Sequence, residues 1–192
     1  NRRAEPIEER TVSEPAVSRQ FVNFRFFKVD PAWRRLPLEG RNQGKAEFCE
    51  VYQSYTKRMI LLPYSLIGIR PDSDFLIWRI SFELEPFQEM STRLLGTGLG
   101  RYVTIPYSYL ATTKRSIYVD KHTHEGQEGR RGQICPGGSK YLFVYPFIKS
   151  REWYQLDRGK RQELMAGHIR IGTQYTDITQ LLLYSFGLQD QE

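Results

Sequence analysis

The spacing of apolar residues predicts short strands and amphipathic helices in the first half of the chain. Residues 21–30 alternate in the way typical of a strand with two partly buried faces. A loop over residues 36–44 is expected to end this strand region. Residues 44–60 then carry apolar side chains at intervals of three and four, which predicts an amphipathic helix. Its expected inward positions are Phe48, Val51, Tyr52, Tyr55 and Met59.

Two further strands are predicted over residues 63–70 and 74–83, joined by a turn that contains Pro71. A second helix is expected to begin after Glu85 with a proline and to end on a run of glycines, as helix termini prefer. Residues 115–119 supply a fourth strand. The order strand, helix, strand, strand, helix, strand is that of a ferredoxin-like unit.

The same pattern begins again in the second half of the chain. It predicts a strand over residues 140–149, a helix from Arg151 to about Tyr175 and a strand over residues 179–187. No second helix follows before Glu192. The predicted fold class is therefore α+β, with two ferredoxin-like halves of the dimeric α+β barrel type, the second of them truncated at the C-terminus.

These elements imply four segments. Residues 1–19 are polar and lack periodicity, which predicts a flexible N-terminal arm. Residues 20–120 form the first half, residues 121–139 a basic, glycine-rich connecting loop, and residues 140–192 the incomplete second half.

Composition narrows the class of protein. A chain of 192 residues with 40% hydrophobic content can bury a core. It has neither an apolar run of membrane-spanning length nor a signal-peptide pattern, so we expect a soluble, cytoplasmic protein without a membrane span. Cys49 and Cys135 are far apart and suit a reducing compartment. The net charge of +6 is dispersed along the chain, and no nucleic-acid partner is predicted.

His168 is the first candidate for chemistry. On a helix, its neighbours on the same face are Leu164, Met165, Ile171 and Gly172, all apolar or small. Such a histidine can be a satisfied core residue. It can also be a haem ligand, because a neutral imidazole ligand is favoured by apolar surroundings that exclude water and by a small neighbouring residue where the flat macrocycle approaches.

Tyr145 and Lys149 are the second candidate. Strand alternation places both on one face, together with Phe143 and Phe147. A phenol beside an ammonium group can be tuned for proton or hydrogen-atom transfer. The alternative is a core tyrosine with a solvated lysine at the end of the strand.

Three other features have weaker interpretations. Arg130 and Arg131 lie in the basic loop, which suits an anionic ligand or is simply solvated. His122 and His124, with the adjacent Glu125, could bind a metal but resemble an exposed loop. The glycines of residues 96–100 suggest a dinucleotide site, yet they lack the required interval and are expected to end a helix.

Four motifs together resemble those of the chlorite dismutase family. They are LLGTGLGRYV at residues 94–103, YPFIKSREWY at 145–154, MAGHIRIG at 165–172 and SFGLQDQE at 185–192. The resemblance extends from Phe21 to Glu192. It implies two ferredoxin-like halves in each subunit, a bound haem and assembly as a homo-oligomer, commonly a homopentamer.

The resemblance also implies roles for single residues. His168 matches the proximal iron ligand, and Tyr145 matches the tyrosine that forms a radical in the coproheme decarboxylases of this family. Lys149 matches a lysine proposed to act with it. Arg131, or its neighbour Arg130, matches an arginine that contacts a propionate.

The distal position distinguishes the activities within the family, because chlorite dismutases carry an arginine there. The distal residue lies seven positions before the glycine of the SFG motif, and counting back from Gly187 gives Gln180. Aligning the chain forward from His168 gives Leu181 instead. The resemblance therefore implies a coproheme decarboxylase, an enzyme that uses hydrogen peroxide to oxidise two propionates of coproheme and yields haem b. Chlorite dismutase and a non-catalytic haem carrier or sensor are the alternatives.

Overall fold

The computed structural model describes residues 19–114 and 133–185 of the chain. Two 3₁₀ turns, at Pro31–Arg35 and Gly100–Tyr102, accompany the longer elements. The helices and strands, in chain order, are β1 (Phe21–Val29), α1 (Leu38–Ser54), β2 (Ile60–Ser65), β3 (Phe75–Ser81), α2 (Glu85–Gly96), β4 (Val103–Thr104), β5 (Ser108–Thr113), α3 (Arg151–Gln155), α4 (Arg158–Gly172) and β6 (Leu183–Ser185).

One antiparallel sheet organises these elements. Its strand order is β2-β3-β1-β5-β6, and the short β4 pairs with the end of β1. The strands β1, β2, β3 and β5 and the helices α1 and α2 follow the order of a ferredoxin-like unit, which confirms the predicted fold class. The second half of the chain joins this sheet through β6, whose Tyr184 pairs with Thr112 of β5.

The sheet is covered on both faces. On one face, α1 and α2 bury an apolar cluster that includes Phe27, Phe48, Ile77 and Met90. On the other face, the strand residues of the second cluster are Val22, Phe24, Phe26, Leu76, Trp78 and Ile80. The side chains packed on this second face include Ile134, Leu142 and Val144 from the extended chain after residue 133. This packing holds the second half of the chain against the first.

The helix α1 begins earlier than predicted and includes most of the expected loop over residues 36–44. Pro37 is its N-cap, and a proline is well tolerated at the start of a helix because no backbone donor is needed there. Gly44 lies inside the helix because α1 contacts the turn after α2. A Cβ atom on Gly44 would lie 2.8 Å from the backbone nitrogen of Leu99 and 3.0 Å from the carbonyl carbon of Gly98.

The fourth strand of the ferredoxin-like unit is β5, at Ser108–Thr113, which the sequence pattern did not predict. The predicted strand over residues 115–119 lies outside the described residues. The predicted strand over residues 63–70 is present only in part, because β2 is Ile60–Ser65 and residues 66–70 are not in a strand. The chain after it turns through Gly68, which adopts a φ of 78° that favours glycine.

The predicted strand over residues 140–149 is wrong as a strand, because these residues form no ladder with the described sheet. Pro146 lacks a backbone N–H to donate. The segment also lies across the face of the sheet, so its side chains make the contact rather than its backbone. The alternation of its side chains is confirmed, since Leu142 and Val144 pack inward while Phe143 and Tyr145 are exposed.

The helix predicted from Arg151 to about Tyr175 is present as two helices. The backbone is extended at Leu156, and Asp157 caps α4 by accepting a hydrogen bond from the backbone N–H of Lys160 at 2.9 Å. The helix α4 ends at Gly172. Of the strand predicted over residues 179–187, only Leu183–Ser185 is a strand within the described residues.

Several predictions fall outside the described residues, including residues 1–18 of the N-terminal arm and residues 121–132 of the connecting loop. Within the described ranges, no helix is long and apolar enough to cross a membrane. Cys49 and Cys135 are both exposed free thiols. The four segment boundaries stay predictions.

Candidate functional site

Gln20 attaches the second half of the chain to the sheet. Its side-chain amide nitrogen donates to the carbonyl of Ile134 at 3.3 Å, and its side-chain oxygen accepts a hydrogen bond from the Ile134 backbone N–H. Both residues are buried. Because one side chain satisfies both backbone groups of Ile134, it fixes where the extended segment over residues 134–144 begins.

That segment presents Tyr145 to the outside. Leu142 and Val144 pack against the sheet, and the alternate residues point away from it. Tyr145 is 72% exposed, and Tyr141 on the same side is 69% exposed. The interpretation of Tyr145 as a core tyrosine is therefore wrong. Its phenol is open to a ligand.

Lys149 lies at the entrance to α3. Ser150 caps this helix by accepting a hydrogen bond from the backbone N–H of Trp153 at 3.4 Å. The same turn places the Lys149 ammonium 5.7 Å from the centre of the Trp153 ring. This cation–π contact was missed in the sequence, although the spacing of four residues next to an N-capping serine was a signal for it.

His168 lies in the second-last turn of α4, and its side chain is exposed. The interpretation as a satisfied core histidine is therefore wrong. Leu164, Ile171 and Tyr175 are also exposed. The predicted apolar neighbours of the imidazole thus form part of an uncovered apolar surface.

Gln180 is brought to this same helix. Its side-chain oxygen lies 3.6 Å from the position that a Cβ atom on Gly172 would occupy. Gly172 is four residues beyond His168 and therefore on the same face of α4. Leu181, the alternative distal residue, is exposed. The distal role of either residue stays a prediction.

The charges near the site lie beside aromatic rings and helix ends. Lys140 is positioned over the ring of Tyr141 at 5.3 Å, as Lys149 is over Trp153. The pKa of Glu152 is lowered by hydrogen bonds that its carboxylate accepts from the Glu152 backbone N–H and then from the Ser150 hydroxyl. The first turn of α3 therefore holds a carboxylate, as the helix dipole favours.

Few side chains of the described residues are available together as ligands for a metal ion. Among residues 19–114 and 133–185, no three His, Cys, Asp or Glu side chains are grouped closely enough to hold a metal ion. His168 can supply one nitrogen ligand. The candidate arginines of the connecting loop, Arg130 and Arg131, lie outside the described residues.

Comparison with known proteins identifies relatives. A family model described as chlorite dismutase matches residues 41–192. Chlorite dismutase from Candidatus Nitrospira defluvii in complex with imidazole is 26% identical, with a TM-score of 0.77 over 90% of this chain and 73% of that chain. A doubly substituted variant from the same organism is 27% identical, with a TM-score of 0.76 over 89% and 73% of the two chains.

A haem-binding protein from Thermus thermophilus also matches. It is 23% identical, with a TM-score of 0.66 over 88% of this chain and 72% of that chain. At this identity the similarity supports the fold alone.

Proposed function

Because the chain belongs to the chlorite dismutase family, we propose that it is a haem-binding enzyme that decarboxylates coproheme. The substrate loses carbon dioxide from two propionates and becomes haem b, with hydrogen peroxide as the oxidant. Each of the two propionates becomes a vinyl group when it loses carbon dioxide and the equivalent of a hydride. Hydrogen peroxide accepts this hydride equivalent together with a proton and is reduced to water.

The exposed surface of α4 fits an iron porphyrin. An iron porphyrin provides most of the metal ligands itself, so a single imidazole such as His168 is a sufficient protein ligand. Leu164 and Ile171 offer exposed apolar side chains beside it, and Gly172 presents no side chain. When bound, the iron porphyrin would supply the peroxide-dependent redox chemistry.

The observation that carries the choice of substrate is the absence of arginine at the distal position. Between Arg170 and Gly187 the sequence contains neither arginine nor lysine, so the choice between Gln180 and Leu181 does not affect this point. The family's chlorite-decomposing members are expected to need an arginine there. Gln180 and Leu181 both lack a positive charge, and this supports the decarboxylase.

Tyr145 is proposed to act on the substrate directly. After giving up its hydroxyl hydrogen atom to the peroxide-dependent oxidant, it would take a hydrogen atom from a carbon of the propionate side chain. The resulting carbon radical would pass one further electron to the same oxidant as carbon dioxide leaves, so each propionate would supply the two electrons that reduce one hydrogen peroxide to water. The exposure of its phenol supports this role. Lys149 would supply a proton nearby, and because its ammonium lies over Trp153, this role requires its side chain to turn.

The carboxylates of coproheme are proposed to contact the basic connecting loop. Arg131, or Arg130, would bind a propionate, because charge-assisted contacts between guanidinium and carboxylate are stronger than neutral hydrogen bonds. We also propose that the subunits assemble as a homopentamer. Its molar mass can be measured by light scattering after size-exclusion chromatography.

Tyr145→Phe tests the proposed reaction, with Tyr141→Phe as the matched control. Both tyrosines are exposed on the same side of the segment, and each substitution removes one phenol hydroxyl group from that side. Coproheme and hydrogen peroxide are added, and the pigments are separated by chromatography over time. We expect Tyr145→Phe to slow haem b formation by about a hundredfold or more, the scale of a lost proton-transfer group, and Tyr141→Phe to leave it unchanged.

Equal rates of haem b formation in the two variants would rule out the role of Tyr145. Coproheme that remains unchanged with the wild-type protein, despite being bound, would instead favour a haem carrier. Binding is measured separately from the absorption spectrum, which Tyr145→Phe should not alter.

Chlorite decomposition is the second candidate activity. The solved relatives at 26% and 27% identity described above are chlorite dismutases, which favours it. An oxygen electrode measures this activity directly after chlorite is added to the haem-loaded protein. Rapid oxygen release, with no haem b formed from coproheme, would replace the decarboxylase with this function.

A further inference from the structure

Two arginines lie close together beneath α2. Arg79 of β3 is only 2% exposed, whereas Arg25 of β1 is half-buried. The Nη1 atoms of Arg79 and Arg25 donate to one oxygen, the hydroxyl of Ser91, at 3.0 Å and 2.6 Å. The two guanidinium groups are therefore direct neighbours inside the first half of the chain.

The acceptors around this pair are neutral. Arg79 donates to the side-chain oxygen of Asn23 at 2.6 Å and 3.1 Å and to the carbonyl of Phe87 at 3.1 Å. Burial, and then the positive charge of Arg25, lower the pKa of Arg79 to about 9. Burial lowers the pKa of Arg25 as well, and within the described residues neither guanidinium forms an ion pair with a carboxylate.

Arg25 has an unused edge. Its Nη1 is engaged by Ser91, while its Nε is buried and has no hydrogen-bond partner among the described residues. The Nε and Nη2 atoms of a guanidinium form the fork that binds a carboxylate or phosphate through two parallel hydrogen bonds. A ligand that contacts the exposed part of Arg25 would offset the charge of both arginines, and it would also satisfy the buried Nε if the side chain turns toward it.

Ser108 lies opposite Arg25 on the neighbouring strand β5. It pairs with Arg25 in the register of β1 and β5, and its side chain is exposed. Its oxygen accepts a hydrogen bond from the Asn23 side chain at 3.2 Å, which directs its own hydrogen elsewhere. Ser108 can therefore donate to a ligand that reaches Arg25 from solvent.

We propose that Arg25, with Ser108 beside it and Arg79 behind it, forms a binding site for an oxyanion, either a phosphate or a carboxylate group. The source is a free anion or a carboxylate of a second copy of this chain. The site lies on the helix-covered face of the sheet and is independent of the proposed reaction at Tyr145 and His168.

Titration with inorganic phosphate, followed by calorimetry at constant ionic strength, tests the proposal. The variants are Arg25→Met and Arg25→Lys, of which the second keeps the charge but lacks the fork. Arg93→Met is the matched control, because Arg93 is an exposed arginine of α2 that contacts Tyr55 and Ser54 instead. Circular dichroism establishes that each variant is folded.

Saturable phosphate binding that weakens by about tenfold or more in Arg25→Lys, and less than about twofold in Arg93→Met, supports a free anion as ligand. If a carboxylate of a second copy fills the fork, wild-type protein does not bind phosphate, and Arg25→Lys lowers the molar mass measured by sedimentation. The proposal is overturned if folded Arg25→Lys matches the wild type in both phosphate binding and molar mass.

Discussion

A methyl group at Gly44 should force α1 away from the turn that follows α2. The Cβ atom of an alanine would lie 2.8 Å from the backbone nitrogen of Leu99, and the reciprocal contact from Gly98 is equally close at 2.9 Å. A hydrogen bond of 2.6 Å from the Gly98 N–H to the Glu47 carboxylate holds this turn against the helix. Backbone atoms lie on both sides of the contact, so rotation of a side chain cannot relieve it.

The magnitude follows from two opposing effects. Replacing a glycine by alanine within a helix stabilises by up to about 1 kcal/mol through backbone entropy. Overpacking a close contact costs about 1–3 kcal/mol. Gly40→Ala on the same helix is the matched control, because a Cβ atom there meets nothing within 4 Å.

Urea unfolding followed by circular dichroism measures both variants. We expect Gly40→Ala to keep or slightly raise the free energy of unfolding and Gly44→Ala to lower it by about 1–2 kcal/mol. If Gly44→Ala is as stable as Gly40→Ala, the close approach does not constrain the fold and the reasoning is wrong. The glycines of residues 96–100 would then lack a packing role, and the dinucleotide site that they suggest would have to be considered again.

Three further predictions follow from the structure. His168→Ala should remove the change in the Soret absorption that accompanies coproheme binding. If the variant shows the same Soret change as the wild-type protein, His168 is not the ligand. Hydrogen bonds from Arg70, and then from a tyrosine hydroxyl, hold the pKa of Asp72 below its usual range. This stabilisation is present above the unfolded pKa of about 3.9 and is lost as the pH falls. The free energy of unfolding should therefore fall from about pH 4 downward, and less steeply in Asp72→Asn; identical pH profiles would contradict this. Gln20→Leu should cost about 1–3 kcal/mol and speed amide exchange at Ile134, because two backbone groups lose their partner; unchanged exchange would refute the attachment.

The order of elements in the first half could be predicted from local patterns. Apolar spacing identified β1 and the two helices, and Pro86 with the terminal glycines identified the limits of α2. The fourth strand could not be identified in this way. Its position depends on which residues pair with the free edge of β1, and pairing between distant strands leaves little trace in local periodicity.

The candidate site divides in a similar way. The motifs around Tyr145 and His168 indicated a family, and the matching family model confirmed it. The alternation of residues 141–145 indicated two faces but not which of them would be covered. The sheet decided this by packing against Leu142 and Val144.

The sequence by itself thus determined the fold class, the family and the identity of the candidate residues, because each depends on local spacing or on motifs. Only the tertiary structure decided that Tyr145 and His168 are exposed, that Lys149 contacts Trp153, and that Gln180 reaches the helix of His168. The physical reason is that exposure and contact depend on segments distant in sequence. Residues that share a local pattern can be buried or open according to what packs against them.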